Sequence, residues 1–258
     1  MGILNLTPDS FSDGGKFLNP EKALLRAIEL EAEGADVIDI GAESSRPGAR
    51  PVSLQQECER LDSALDLILK QVKVPVSLDT TKAKVAEFGL KKGVAIINDV
   101  SGLKADPNMA SVIRNHESGL IIMHRRGTPE TMQSFTDYRD LVSEVLQELR
   151  ESMDLALAAG ICENQIAIDP GLGFSKTSEQ NFEIIKHIAD FLTLKRPIIV
   201  GASRKSFLGK VTGRESHERV FASTAAAVLL AERGAHILRV HDVRATKDAL
   251  LVAKEVLS

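Results

Sequence analysis

Short apolar runs alternate with longer amphipathic segments along the whole chain, and this alternation restricts the possible folds more than any other feature. There are eight runs, and in order they read GILN, DVIDIGA, VPVSLDT, AIINDVS, LIIMHR, IAIDPGL, PIIVGAS and HILRVHD. Between them, apolar residues recur at i, i+3, i+4 and i+7, which is the spacing of an amphipathic helix. Runs with little polar alternation are typical of parallel strands covered by helices. The sequence therefore predicts an α/β protein built from eight strand–helix units.

Eight such units in 258 residues favour a closed (β/α)8 TIM barrel, a fold that typically takes about 250 residues. An open, doubly wound sheet is the alternative, because counting units does not establish closure. No composition shift or proline-rich linker divides the chain, so we expect one domain over residues 1–258. Five glycines just before the runs are expected to end helices in the left-handed conformation. They are Gly34, Gly93, Gly119, Gly160 and Gly234.

Charge and cysteine content exclude several classes of protein. The 32 Lys and Arg residues nearly balance the 36 Asp and Glu residues, so no overall positive field favours nucleic acid or an anionic membrane. Cys58 and Cys162 lack metal-ligand or redox spacing, which favours a reducing compartment. No apolar run approaches the roughly 18 residues of a membrane span, and the N-terminus does not resemble a signal peptide. We expect a cytoplasmic protein without nucleic-acid or membrane partners.

Polar side chains follow every predicted strand at its carboxyl end. In a (β/α)8 enzyme these ends meet at one mouth, where the chemistry takes place. An Asp or Asn after one strand is about as often a helix cap or a turn former as a functional residue. That structural explanation weakens when every strand contributes such a residue. The residues are Asn5, Glu43 to Pro47, Asp79, Asn98, Asp99, Met123 to Arg125, Asp169, Ser203 to Ser206, Arg239, His241 and Asp242.

One group of these residues is a candidate anion site. Arg239 and His241 are two residues apart on one strand, so their side chains point the same way. With Asn5 from the neighbouring strand they could hold a phosphate-like anion or its metal.

A second group suits a flat heterocycle. Asp79, Asn98 and Asp169 supply the acceptors and amide donors that read amino and lactam edges. Lys205 could close over such a ring or stabilise charge that develops on it. The alternative is that Asp79, Asp169, Lys205 and Arg239 form structural ion pairs.

Eight segments together resemble the dihydropteroate synthase family. They are GILNLTPDSFSDGG, ESSRPGA, SLDTTK, INDVSG, MHRRGTPETMQ, DPGLGFSK, GASRKSFLG and RVHDV, which occur in the family's order and at its spacing, so that the resemblance extends over essentially the whole chain. The resemblance implies a TIM-barrel transferase that joins 4-aminobenzoate to (7,8-dihydropterin-6-yl)methyl diphosphate, forming 7,8-dihydropteroate for folate biosynthesis and releasing pyrophosphate. It implies a dissociative mechanism, in which pyrophosphate leaves before the aryl amine attacks.

The resemblance also implies roles for individual residues. The pterin-binding positions are Asp79, Asn98, Met123, Asp169, Phe174, Gly201 and Lys205. The positions around 4-aminobenzoate are Phe11, Ser45, Arg46, Pro47, Lys205 and Ser206. The pyrophosphate positions are Asn5, Ser45, Arg46, Arg239 and His241, with Asn5 also at the Mg²⁺. The implied catalytic residues are Asp79, Asp169, Lys205, Arg239 and His241.

Partners follow from the same resemblance. It implies inhibition by sulfonamides, which mimic 4-aminobenzoate, and a homodimer formed through helices on the far side of the barrel. The alanine-rich segment STAAAVLLAERGA is compatible with such an interface and equally with ordinary packing on the barrel.

The sequence departs from the family pattern at three places. Ser45 stands where threonine is usual, and Arg125 where methionine is frequent. The dozen or so residues that usually precede the first strand are absent, and Met1 falls within the strand itself. Because the mouth is unaffected, this shortened N-terminus is expected to cost stability more than chemistry.

Two rival functions are open at this stage. A related pterin-binding methyltransferase would pass a methyl group to a corrinoid protein, but the SRP and SRKS segments argue against it. A catalytically silent barrel would bind pterin as a sensor or stabilise a partner, but the retained Asn5, Arg46, Lys205, Arg239 and His241 argue for activity.

Overall fold

All eight predicted strands form, and each lies within its predicted run except the fifth, which begins one residue before it. A computed structural model describes residues 1–7 and 19–257. The strands are β1 Gly2–Asn5, β2 Ile38–Gly41, β3 Val76–Asp79, β4 Ile96–Asp99, β5 Gly119–Met123, β6 Ile166–Asp169, β7 Ile199–Val200 and β8 Ile237–Leu238.

The strands close into a barrel. β1 to β6 form one parallel sheet in chain order, and β7 pairs with β8 in parallel. Two bridges join these sheets, Ile168 with Ile198 beside β6 and Gly2 with Val240 beside β8. At the second junction the Ile3 amide donates to the Val240 carbonyl at 2.9 Å. The predicted (β/α)8 barrel is therefore confirmed, and the open-sheet alternative is wrong because β1 and the end of β8 are neighbours.

Helices follow the strands and cover the barrel. Their starts carry sequence-coded caps, such as Ser53, whose side chain accepts from the Gln56 amide while the Gln56 side chain accepts from the Ser53 amide. The helices are α1 Pro20–Ala32, α2 Leu54–Gln71, α3 Ala83–Lys92, α4 Met109–His116, α5 Leu141–Ala158, α6 Ser178–Lys186, α7 Ser206–Thr212, α8 Val220–Glu232 and α9 Val243–Leu257.

Four of the five predicted glycine stops adopt positive φ, as at Gly93, which caps α3 with φ 114°. The prediction for Gly119 is wrong. Glu117 takes the left-handed position after α4, with φ 52°, and Gly119 begins β5. Because α4 ends two residues earlier than its glycine suggests, a non-glycine residue takes on the strained conformation.

The core has one large cluster and two small ones. The large cluster lies between strands and helices, and Met1, Ile121 and Ile199 form one of the small clusters. The other small cluster lies at and after the strand ends and is made of Val100, Met123, Met132 and Phe174. In the described part of the chain no helix is long and apolar enough to cross a membrane.

Candidate active site

The strands bring the predicted heterocycle-binding residues to the same end of the sheet, at two levels. In the parallel register Asp79 of β3 lies opposite Asn98 of β4, which lies opposite Ile121 of β5. Met123 of β5 lies opposite Asp169 of β6, two residues further along the strands. The Asp79, Asn98, Met123 and Asp169 side chains are buried. Because these positions end or nearly end their strands, both pairs line the carboxyl mouth of the barrel.

A charged network lies directly beneath this mouth. The Arg239 Nε donates to Asp39 Oδ2 at 2.6 Å, and its Nη2 donates to Asp79 Oδ2 at 3.0 Å. The Asn98 side-chain amide also donates to Asp39 Oδ2, at 3.2 Å. Arg239 therefore fixes Asp79, while Asp39 fixes both Arg239 and Asn98.

Sequence reasoning missed Asp39, which is fully buried. A signal was present, because Asp39 is a charged residue between Ile38 and Ile40 in a strand that is otherwise apolar. A buried carboxylate is costly unless a cation or hydrogen bonds compensate it. An aspartate inside an apolar strand therefore indicates a partner elsewhere in the fold, here Arg239.

Asp79 shares its surroundings with other carboxylates. Burial raises the pKa of Asp79, the Arg239 charge opposes this, the Asp39 charge adds to it, and the resulting pKa is about 7. The Asp79 carboxyl therefore gains or loses a proton close to neutral pH, and can present an acceptor or a donor to a ring nitrogen.

Asp169 and Lys205 form the opposite side of the mouth. The Asp169 Oδ1 accepts from the Gly171 amide at 2.7 Å, and burial raises the pKa of this carboxyl. The Lys205 Nζ donates to the Leu172 carbonyl and lies 4.4 Å from the centre of the Phe174 ring. Burial lowers the pKa of Lys205 to about 8, against the attraction of Asp169. Lys205 thus lies among the apolar and carboxylate groups that a bound ring would contact.

The residues predicted to form the apolar walls of the site are Met123, Phe174 and Gly201. Met123 and Phe174 belong to the cluster of apolar residues after the strands. Gly201 is buried beside Arg239, and a methyl group there would lie 3.7 Å from the Arg239 Cβ. These groups give a flat ligand an apolar surface to stack on.

His241 and Asn5 lie at adjacent strand ends, beside the junction of β8 and β1. The His241 Nδ1 is 3.0 Å from the Ser203 Oγ. Burial, reinforced by the Arg239 and Arg204 charges, lowers the pKa of His241 to about 3, so its imidazole is neutral at pH 7. Arg239, however, is held by two carboxylates, so the predicted anion site relies on a cation that is already partly neutralised.

The remaining predicted residues lie at the outer edge of the mouth. Ser45 is partly buried, whereas Arg46 and Pro47 are exposed in the segment after β2. Ser206 is exposed at the start of α7. Phe11 lies outside the described residues.

The base of the segment after β2 is fixed by a second charged cluster, which sequence reasoning also missed. The Lys82 Nζ donates to Glu43 at 2.7 Å and to the buried Glu57 at 2.6 Å. Glu57 also accepts from the Thr80 hydroxyl at 2.8 Å, and Glu43 accepts from the Val52 amide at 2.7 Å. Lys82 thereby ties both ends of this segment to the end of β3.

Arg125, the departure from the family pattern, is buried beside this cluster. Its side chain lines a cleft of about 240 Å³ together with Ser45 and Asp79. Arg125 is 7% exposed, and its Nε has no hydrogen-bond partner among the described residues. Burial lowers the pKa of its guanidinium, and the charges of Asp99 and Asp79 oppose that effect. The positive charge of Arg125 thus compensates the negative charges of Asp99 and Asp79, with which it forms no direct ion pair among the described residues.

A metal site made of protein side chains alone is absent from the described residues. No group of three or more His, Cys, Asp or Glu side chains there is arranged to hold an ion. The amide oxygen of Asn5 is a hard ligand of the kind that Mg²⁺ accepts, and Mg²⁺ takes most of its other ligands from substrate phosphates and water. Among the described residues, Asn5 therefore fits a Mg²⁺ that arrives with a diphosphate.

Comparison with known proteins gives a consistent family. The profile of the family described as "pterin binding enzyme" matches residues 1–241. The chain is 43% identical over 254 residues to the dihydropteroate synthase of Synechocystis sp., covering 98% of this chain and 88% of that protein. It is 44% identical over 244 residues to that of Bacillus subtilis, covering 95% and 83% respectively.

Solved structures give the same result. The chain is similar to Xanthomonas albilineans dihydropteroate synthase with 4-aminobenzoic acid, with a TM-score of 0.94, 40% identity and coverage of 100% of this chain and 92% of that one. It matches the same enzyme in complex with 7,8-dihydropteroate, with a TM-score of 0.90, 37% identity and coverage of 100% and 93%. It also matches a sulfonamide drug complex of Yersinia pestis dihydropteroate synthase, with a TM-score of 0.94, 37% identity and coverage of 100% and 93%.

Proposed function

Since the chain belongs to the pterin-binding enzyme family, and within it to the dihydropteroate synthases, we propose how its residues divide the reaction between them. The reaction breaks the bond between the pterin methylene carbon and the diphosphate oxygen. A bond then forms from the same carbon to the amine nitrogen of 4-aminobenzoate. Pyrophosphate and a proton leave, and the product is 7,8-dihydropteroate.

The observation that carries this division is the burial of Asp79, Asn98 and Asp169 together at the strand ends, with Arg239 bound to Asp79. A pterin carries an amino group and a ring N–H on one edge, which suit the two oxygens of one carboxylate. We assign that edge to Asp169 and the other ring nitrogens to Asn98 and Asp79. Lys205 then lies over the ring, and its ammonium binds the ring carbonyl.

The same residues favour a dissociative path. Departure of pyrophosphate leaves positive charge on the pterin methylene group and ring. Preformed carboxylates stabilise such charge without reorganising, and Asp79 and Asp169 are fixed by Arg239 and by the Gly171 amide respectively. The amine of 4-aminobenzoate, a weak base, then attacks the cation and loses its proton.

The outer edge of the mouth is assigned to the second substrate. In this assignment the open side of the pterin pocket is lined by Ser45, Arg46, Pro47 and Ser206. Lys205 lies between the two subsites. The Arg46 side chain is exposed and charged, so it can bind the carboxylate of 4-aminobenzoate or the departing pyrophosphate.

We assign the pyrophosphate to Asn5, Ser45, Arg46, Arg239 and His241, with Mg²⁺ held by Asn5 and the diphosphate oxygens. The ion would supply positive charge that stabilises the leaving group. The neutral His241 imidazole can donate a hydrogen bond to a phosphate oxygen without adding charge.

This assignment predicts that Mg²⁺ strengthens pyrophosphate binding, because Arg239 alone is already partly neutralised by two carboxylates. Titration calorimetry with pyrophosphate should give a lower Kd with Mg²⁺ than with EDTA. A crystal soaked in pyrophosphate should show the anion at the ends of β1 and β8. An anion bound elsewhere, or a Kd that Mg²⁺ does not change, would contradict the assignment.

The experiment that tests the function is pyrophosphate release from the two substrates mixed with the protein. Release should require both substrates and should be accompanied by 7,8-dihydropteroate. A corrinoid-dependent methyltransferase or a silent pterin binder would release none.

In the same assay we predict inhibition by sulfonamides, which share the shape and anionic end of 4-aminobenzoate. Ser45 is smaller than threonine and the neighbouring segments show no inserted residues, so nothing added there excludes the drug. An inhibition series at several 4-aminobenzoate concentrations should show competition, and the drug itself should be joined slowly to the pterin. Failure of millimolar sulfonamide to inhibit, or of excess 4-aminobenzoate to relieve inhibition, would contradict the assigned subsite.

We also propose a homodimer formed through α7, α8 and α9. Large apolar side chains are exposed on these neighbouring helices, among them Phe221 on α8, which is 84% exposed, Val211 on α7 and Val252 on α9. Large apolar side chains that are exposed on neighbouring helices are often found at protein interfaces. Light scattering should give about twice the 28.0 kDa of one chain, and Phe221→Glu should lower the mass to that of one chain. A single-chain mass for the unmodified protein would contradict the proposal.

We propose that the protein is located in the cytoplasm. Cys58 and Cys162 are free thiols, which supports a reducing environment for the protein.

A further inference from the structure

Lys176 carries a buried ammonium group for which the proposed reaction has no use. The residue is 3% exposed and lies just after the segment 169–174 that holds Asp169 and Phe174. Its Nζ donates to the Gly171 and Phe174 carbonyls, both at 3.2 Å, and lies 2.9 Å from the His124 Nδ1. A lysine is rarely buried without partners, and here two of the three contacts bind one turn while the third reaches the segment after β5.

The turn that Lys176 holds is the one that shapes the pterin pocket. Asp169 accepts from the Gly171 amide, so the conformation of Gly171 is linked to the orientation of the carboxylate. Gly171 has φ +72° and packs so closely on the chain after β5 that an added methyl group would lie 2.0 Å from the His124 carbonyl oxygen. Lys176 therefore holds a turn whose position also sets Asp169 and the Phe174 ring.

The far side of Lys176 is anchored in the segment after β5. The His124 Nε2 lies 3.2 Å from a carboxylate oxygen of Glu148 on α5. Glu148 also accepts from the Arg126 Nε at 2.8 Å, and the Arg126 amide donates to Ser175 Oγ at 2.8 Å. Lys176 thus lies between the 169–174 turn and the segment after β5, which are already joined by the hydrogen bond from Arg126 to Ser175.

A second lysine contacts the same turn from the substrate side. Lys205 donates to the Leu172 carbonyl, which lies between the two carbonyls that Lys176 binds. In the proposed reaction Lys205 binds the pterin, so the Leu172 carbonyl shares or loses its donor when substrate arrives. The two bonds from Lys176 lie away from the pocket and do not depend on substrate.

We propose that Lys176 is a positioning residue, which holds the 169–174 turn in its pterin-binding shape and so leaves Lys205 free to exchange the Leu172 carbonyl for the substrate. The inference rests on the proposed pterin pocket. It assigns to Lys176 an effect on pterin binding and none on 4-aminobenzoate.

The test is Lys176→Met, which keeps an unbranched side chain as far as the ε position and removes every donor. Among the described residues, the Phe174 carbonyl and the His124 Nδ1 would then lose their donor, and the Gly171 carbonyl would keep only the bond from the Phe174 amide at 3.2 Å, so the turn would relax. We expect KM for the pterin diphosphate to rise at least about tenfold, with kcat at saturating pterin and KM for 4-aminobenzoate changed less than about threefold. Lys176→Gln, which retains an N–H donor, should recover part of the loss.

A matched control is Lys104→Met. Lys104 is partly exposed and approaches the same Glu148 carboxylate at 3.9 Å, and none of the hydrogen bonds found in the described residues joins it to the turn. It should leave both KM values unchanged. If Lys176→Met does not fold, hydrogen exchange of Lys176→Gln supplies the second measurement. The Gly171 and Gly173 amides should then exchange faster than in the unmodified protein.

Two outcomes would overturn the inference. One is an unchanged KM for pterin diphosphate in folded Lys176→Met, and the other is an equal rise in both KM values, which would indicate general loosening of the mouth. The proposed function fails in a different way, because then the unmodified protein itself would release no pyrophosphate.

Discussion

Replacing Lys205 by alanine, or Asp169 by asparagine, should lower the turnover of dihydropteroate formation by at least about tenfold each while the protein stays folded. Both side chains lie at the mouth and not in the main core. Lys205→Ala removes the ammonium beside the Phe174 ring, and Asp169→Asn removes a charge that would stabilise the pterin cation. A factor of ten corresponds to about 1.4 kcal/mol, a modest loss for one charged contact in a buried site.

The measurement is steady-state pyrophosphate release together with a thermal unfolding curve for each variant. Lys210→Ala, at an exposed position on the same α7 helix, is a matched control for Lys205. Asp154→Asn, exposed on α5, is one for Asp169. Near-normal turnover in either site variant, or an equal loss in its control, would remove that residue from the pterin pocket.

Much of the fold could be predicted because the local pattern of each unit is strong. Every strand lies in its apolar run or begins one residue before it, and Asp79, Met123 and Asp169 end their strands as the sequence predicts. Closure of the barrel could not be predicted in this way. It depends on contacts such as that of Ile3 with Val240, which are distant in sequence and leave no periodic signal.

The parts of the site that were missed share one physical reason. Asp39 and Lys176 are buried polar groups that contact other strand–helix units, Asp39 through Arg239 after β8 and Lys176 through His124 after β5. A pattern along the chain indicates that such a residue is unusual in a buried segment. It does not indicate which distant group pairs with it, because that depends on strand register and on how the segments after the strands fold back.

Asp39→Asn should destabilise the protein by about 3 kcal/mol, even though the change keeps the shape of the side chain. Asp39 is fully buried and accepts from both Arg239 and Asn98. Removing one partner of a buried ion pair costs about 3–5 kcal/mol, because the other charge is left uncompensated. The lower end applies here, since Arg239 is partly exposed and retains Asp79.

Urea unfolding checks this, with Asp36→Asn as the control. Asp36 is exposed and 3.6 Å from Lys247, so its loss should change the free energy of unfolding by less than about 1 kcal/mol. Similar losses in the two variants would contradict a buried charge pair at Asp39. An unchanged m-value would show that the difference arises from stability and not from a change in the unfolded state.

The pH dependence of this loss distinguishes a charge effect from a packing defect. Folding raises the pKa of Asp79 from its ordinary value near 4 to about 7. In the unmodified protein the contribution of Asp79 to the free energy of unfolding is therefore complete below about pH 4 and falls as the pH rises through about 7. The Asp39 charge contributes to that raised pKa, so Asp39→Asn should lower the pKa of Asp79 and reduce the fall. The penalty of the substitution should therefore shrink between pH 5 and pH 8. A penalty that is the same at both pH values would mean that the loss comes from packing around Asp39, and that its charge is not coupled to Asp79.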